Sequence, residues 1–257
     1  MAFKILLHTF RMIFGNLGQA LKVSVGPYLI LLLTIGALFF AATSMSGESI
    51  GNLPILMLFI LPLMLFVTSW VAVSWHRFIL LEEYTSVLPA VAGRPIWSYV
   101  GKGILLALII MLIAVPTFYL IGALGLGAFL GPQSYSAQSG SAGLLATLII
   151  LLAVFVFISF ISLRLGIALV GTALGKPLGF GAAWAATGKI SGVIFGVAVL
   201  LVLINAVPAQ LFSRLAVIAP IVVAVFNLAW QWLTIMLGVS VLTTIYGHVI
   251  EERPLVD

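Results

Sequence analysis

Residues 94–126 read RPIWSYVGKGILLALIIMLIAVPTFYLIGALGL, and the fold class follows from this stretch. After Lys102 no charged residue appears through Leu126. A helix needs about 20 mostly apolar residues to cross a bilayer, and this run is long enough. It is apolar on every face, whereas a soluble surface helix keeps a polar side. Five other segments read the same way, so spans are expected at about 24–44, 53–75, 101–126, 143–169, 190–212 and 216–246. None has Asp, Glu or Lys in its middle. The expected fold is all-α: a polytopic membrane protein with six transmembrane helices, forming a single integral membrane domain over 1–257. Composition agrees, with 63% hydrophobic and 7% charged residues. Soluble domains carry roughly 25% charged residues, so this apolar excess must face lipid.

The opening tripeptide recurs. Arg94-Pro95-Ile96, Lys176-Pro177-Leu178 and Arg253-Pro254-Leu255 lie about eighty residues apart, each after a pair of spans. Trp97 and Gly101-Lys102 follow the first copy, and Trp184 and Gly188-Lys189 follow the second. Proline suits the first turn of a helix, where its missing N–H costs nothing. A neighbouring cation can meet phosphate, and Trp prefers the interfacial level. The pattern predicts three two-helix repeats, each hairpin preceded by a short cytoplasmic-surface helix. Gly18 and Lys22 give a fainter echo before the first hairpin, and no hairpin follows the third copy.

Residues 1–23 do not read as a cleavable signal, because their charges are spread at helical spacing rather than clustered first. Phe3, Leu6, Leu7, Phe10, Ile13, Phe14, Leu17 and Leu21 form one stripe, opposite Lys4, His8, Arg11 and Lys22. This predicts an amphipathic helix in the membrane interface, or one packed on the spans of the protein itself. With the N-terminus on one side, Lys4, Arg11, Lys22, Arg77, Arg94, Lys102, Arg164, Lys176, Lys189 and Arg253 share that side, and only Arg214 lies opposite. The positive-inside rule makes the crowded side cytoplasmic, so both termini are expected there. The expected partners are the lipid bilayer and its anionic headgroups, touched by Lys4, Arg11, Lys22, Arg94 and Lys176, together with a membrane-protein partner. Nucleic acid is not expected, since the formal charge of +5 rests on eleven cations that hug helix ends. Cysteine is absent, which removes thiolate chemistry and disulfides. The segment from Gly131 to Gly143 is neutral, small and polar and reads as an outer surface connection.

Small residues let membrane helices approach closely. Gly188, Gly192 and Gly196 recur at four-residue steps, as do Gly171 and Gly175, and Gly127 and Gly131. The first series is the expected helix contact. Asn205, Gln210, Asn227 and Gln231 form a candidate intramembrane polar cluster, with the last two on one face. An unpaired amide in hydrocarbon costs several kcal/mol, so partners are expected. Such a cluster is either interhelical glue, worth ~0.6 kcal/mol per bond, or the lining of a small polar site. Pro54, Pro62, Pro116, Pro208 and Pro220 fall within the expected spans, where proline kinks a helix. His8, His76 and His248 all sit at the cytoplasmic boundary, as do Glu82, Glu83, Glu251 and Glu252. No pair has metal-ligand spacing and no phosphate-binding or nucleotide motif is present, so no catalytic site, metal or cofactor is expected.

The run Trp75-His76-Arg77-Phe78-Ile79-Leu80-Leu81-Glu82 and the tail from Tyr246 to Leu255 resemble segments of bacterial six-span proteins of unknown function. Those proteins are similar to the membrane domain attached to some glycerophosphodiester phosphodiesterases. The resemblance implies a bacterial cytoplasmic membrane protein. Phosphodiesterase activity is not expected to carry over, since the soluble catalytic barrel would need a couple of hundred further residues. Mitochondrial carriers also use three two-span repeats, but their Pro-x-[Asp/Glu]-x-x-[Lys/Arg] signature is missing here. The expected function is a non-enzymatic, accessory or organising membrane protein. The alternative is a small-molecule or lipid transporter with its site between the hairpins.

Overall fold

Within hydrocarbon every backbone N–H and C=O needs an internal partner, and a helix supplies them all from one segment. The apolar runs fold accordingly. A computed structural model describes residues 1–45, 53–123 and 140–255. The described elements are α1 (Ala2–Gly15), α2 (Leu17–Met45), α3 (Leu53–Leu81), α4 (Ile96–Ala123), α5 (Gly140–Ala173), α6 (Phe180–Ala186), a 3₁₀ turn (Thr187–Ile190), α7 (Ser191–Leu215) and α8 (Pro220–Val249). Among the described residues, six helical stretches are long and apolar enough to cross a membrane. The chain is a multi-pass, all-helical membrane protein.

Several boundaries differ from those expected. The first helix stops at Gly15, and the first span begins at Leu17 rather than near residue 24. Asn16 makes the break, its side-chain Nδ2 donating to the Met12 carbonyl at 2.9 Å. After Arg94-Pro95 the chain enters α4 at once, with no separate surface helix, whereas α6 and the 3₁₀ turn follow Lys176-Pro177. Pro62, Pro116 and Pro208 lie inside helices, as does Pro27, but Pro220 opens α8 and so breaks no bond. Gly127, Gly131 and nearly all of the expected outer connection lie outside the described residues.

The chain divides into two units, and the divisions fall inside α1, α4, α5 and α8 and at the start of α6. One unit holds Leu7–Gly103, Ile167–Gly179 and Ile235–Asp257. Its core is the second half of α3, where residues 69–76 are all buried, with Met236, Leu237, Val241 and Ile245 of α8. Gly26 of α2 belongs to this unit and lies against the Val87 carbonyl, where a Cβ would collide with backbone. The other unit holds Met1–Leu6, Ile104–Gly166 and Phe180–Thr234. It buries Ile161, Leu163, Ile194, Val197 and Ala198 but leaves Leu112, Val217 and Ile221 exposed, as lipid contact allows.

Each of the three cation–proline pairs follows a residue with left-handed backbone: Gly93 (φ 72), Gly175 (φ 75) and Glu252 (φ 54). The residue before a proline is pushed out of the helical region. A left-handed residue at a helix end stops the helix, as Gly175 does after α5; Gly93 turns the loop well beyond α3, which itself ends at left-handed Glu82 (φ 56). At the end of α5 the Lys176 N–H bonds the Gly171 carbonyl at 2.8 Å, and the Gly175 N–H bonds Thr172 at 3.1 Å. That is a Schellman cap. A Cβ on Gly171 would sit 2.7 Å from the Lys176 carbonyl, so the Gly171–Gly175 pair serves the cap rather than a helix crossing.

Candidate functional site

The helix ends of the first unit carry an ionic lattice. Arg77 grips Glu83 with two bonds, Nε at 3.0 Å and Nη2 at 2.5 Å. Its Nη1 donates to the Ala173 carbonyl, the last residue of α5, at 3.0 Å. Arg94 meets the same carboxylate at 2.7 Å. The Arg77 hydrogen bonds hold the Glu83 carboxyl below the usual carboxylate range; burial opposes this, and the Arg94 charge assists. Arg253 donates to the Leu80 carbonyl in the last turn of α3 at 2.8 Å and pairs with Glu251 at 2.8 Å. Lys176 lies 3.9 Å from Glu251, and Lys102 donates to the Leu178 carbonyl at 2.6 Å. The last carbonyls of a helix lack intrahelical donors and carry partial negative charge, so cations cap them well.

Deeper in the same unit, hydroxyls and one imidazole tie α3 to α8. Trp75 Nε1 donates to Ser240 Oγ at 2.8 Å. His76 Nδ1 is 2.8 Å from Thr243 Oγ1, and His76 Nε2 is 3.3 Å from the Tyr99 hydroxyl. Thr243 gives its own proton to the Val239 carbonyl at 2.9 Å. Its oxygen therefore accepts from His76 Nδ1–H, which leaves Nε2 to accept from Tyr99 O–H. One tautomer of a neutral ring satisfies every donor, and His76 is 0% exposed.

A cavity of about 490 Å³ opens where α1, α3, α8 and the segment after α8 end. His8, Arg11, Asn16, His248 and Arg253 give it polar, basic walls, while Met12, Ile79, Leu80 and Leu255 are apolar. Among the described residues no Asp or Glu lines it. The ring of His248 is fixed by Nδ1–H donating to the Arg253 carbonyl at 3.1 Å. His76 and His248 thus serve different places. Among the described residues no three His, Asp or Glu groups come together as metal ligands.

In the second unit Arg164 is buried. Its guanidinium lies 3.5 Å from the Trp184 ring centre, with Nε donating to Thr187 at 3.1 Å and Nη2 to the Trp184 carbonyl at 2.6 Å. Gln231 donates to Asn227 Oδ1 at 3.1 Å on one exposed face of α8. Asn205 turns back to the Leu201 carbonyl at 2.8 Å, and Gln210 is exposed. Of the glycine series, only Gly196 makes a close approach, its Cβ position 2.9 Å from Ala2. A Cβ at Gly192 would meet nothing within 4 Å, and one at Gly188 would lie 3.8 Å from Arg164. Lys4, Arg11 and Lys22 are exposed, whereas Arg94 is half-buried in its ion pair.

Sequence reasoning missed the His76–Thr243 tie. The signal was there, since Ser240, Thr243, Thr244 and Gly247 share one helix face. The chain matches no family model, no curated protein and no solved structure.

Proposed function

We propose that this chain is a non-enzymatic, accessory or organising protein of the bacterial cytoplasmic membrane, with both termini cytoplasmic, acting through anionic lipid and partner helices. The supporting observation is the division of α1 into three arcs. Ile5, Leu6, Thr9 and Ile13 are buried, Phe3, Leu7 and Phe14 are exposed and apolar, and Lys4 and Arg11 are exposed cations. A helix lying at the boundary of lipid and water needs that arrangement, with one arc for protein, one for acyl chains and one for headgroups. The carboxylates Glu83 and Glu251 are engaged by cations, which favours structure over acid–base work. The shared left-handed residue before each cation–proline pair supports reading the chain as three two-helix units.

Anionic headgroups attract surface cations at ~1 kcal/mol each. Protein extracted with its surrounding lipid should therefore carry more anionic lipid than the bulk membrane, and less after Lys4→Gln with Lys22→Gln. Equal composition in all samples refutes the reading. Transport is the second reading, favoured by the exposed Asn227–Gln231 pair within a span. It requires solute flux in proteoliposomes that falls in Asn227→Leu.

A further inference from the structure

We propose that the cavity walled by His8, Arg11, Asn16, His248 and Arg253 binds a phosphate group. The proposal rests on the reading that this side of the protein meets anionic headgroups, and it adds one defined site to that general attraction. Three observations carry it.

The first is charge. Arg11 forms no ion pair among the described residues, and no carboxylate of those residues lines the cavity. A guanidinium fork matches two phosphate oxygens at once. Arg253 is already held by Glu251 and the Leu80 carbonyl, so it is a fixed wall rather than a mobile side chain.

The second is preorganised polar geometry. The His248 ring is oriented through Nδ1–H, so its imidazolium form offers Nε2–H to an anion, and Asn16, oriented by one Nδ2–H on the Met12 carbonyl, keeps its second amide N–H. Groups held before binding lose little freedom on binding. The third is position and size. Ile79 and Leu80 belong to the last turn of α3 and His248 to that of α8, where the spans give way to the boundary at which lipid phosphates lie. About 490 Å³ lies within the range of small-ligand sites, and the apolar lining by Met12 and Leu255 suits the carbon skeleton attached to a phosphate ester.

Phosphate reaches such a site either on a lipid headgroup or as a free ion. Full-length protein in nanodiscs of equal parts phosphatidylcholine and phosphatidylglycerol is released gently and its retained lipid counted by native mass spectrometry. In parallel, protein in phosphatidylcholine alone is titrated with inorganic phosphate by calorimetry. We expect one phosphate-bearing ligand per chain, weakened about tenfold or more in Arg11→Gln combined with His248→Gln, and less weakened in Arg11→Lys. Retention of phosphatidylglycerol identifies a headgroup, and a phosphate isotherm identifies the free ion. Lys4→Gln with Lys22→Gln, outside the cavity, should lower the general preference for anionic lipid and leave the single ligand in place, which separates this proposal from the reading beneath it. Arg11 is exposed, so Arg11→Gln alone reports binding even if the double variant melts early. Absence of a ligand in both arms, or wild-type binding by Arg11→Gln with His248→Gln in a folded sample, overturns the proposal.

Discussion

Thr243→Val isolates the contribution of one buried hydroxyl to the joining of α3 and α8. Valine keeps the β-branch and shape of threonine, so the packing around Met236, Leu237 and Ile245 is preserved. The lost oxygen is the acceptor for His76 Nδ1–H at 2.8 Å, and the imidazole is 0% exposed, so bulk water does not replace it. Orphaning a buried donor costs ~1–3 kcal/mol. Interhelical bonds in membranes run lower, averaging about 0.6 and reaching about 1.7 kcal/mol, because separated helices find other partners. The full burial of His76 places this bond near the upper end, at about 1.5 kcal/mol, or roughly tenfold in the folding equilibrium. A double-mutant cycle with His76→Leu, measured by reversible unfolding in bicelles, separates the bond from the packing. We expect Thr243→Val to be costly alone and nearly neutral beside His76→Leu. Additivity within about 0.3 kcal/mol would show that the two side chains do not depend on one another.

Further outcomes follow from the same contacts. Arg164→Lys should destabilise by about 1–2 kcal/mol and more than Arg164→Met, because lysine keeps a buried charge but cannot stack on Trp184 and bond Thr187 together; Trp184 emission and unfolding report it. Gly26→Ala should cost roughly 1–3 kcal/mol by collision with the Val87 backbone, whereas Gly192→Ala meets open space and should gain up to about 1 kcal/mol from helix propensity; parallel melting curves would show the opposite signs. The lowered pKa of Glu83 means its folded form binds protons less readily than its unfolded form, so its contribution is complete above the ordinary value of 4.5 and is lost as pH falls through the lowered folded value. Glu83→Gln should therefore be less stable than wild type at neutral pH, and the gap should close in acid. Reporter fusions at Arg94 and at the C-terminus should both read as cytoplasmic, and opposite readings would remove the assigned orientation.

The membrane class and approximate spans were legible because crossing a bilayer is a local requirement: any run of about 20 apolar residues meets it wherever its neighbours lie. The stop at Lys176-Pro177 was equally local, although only the backbone showed that Gly171 and Gly175 make the cap. The roles of the cations were not legible. Arg77, Arg94 and Arg253 read as boundary charges, yet each is spent on a helix-end carbonyl or a carboxylate, and Lys102 on the carbonyl of Leu178 in the loop before α6, while Lys22 is left facing outward and Arg11 lines the cavity.

The amino-acid order by itself determined that six helices cross lipid and that charge gathers at their ends. Only the tertiary structure decided that His76 meets Thr243, 167 residues away, and that His8, Arg11 and His248 share one cavity. The physical reason lies in the solvent. Water forces a helix to turn its apolar stripe inward, so a soluble sequence records which way each helix faces. Hydrocarbon accepts any apolar face equally, so the rotation and depth of each helix are set by hydroxyls, glycines and capped ends at scattered positions.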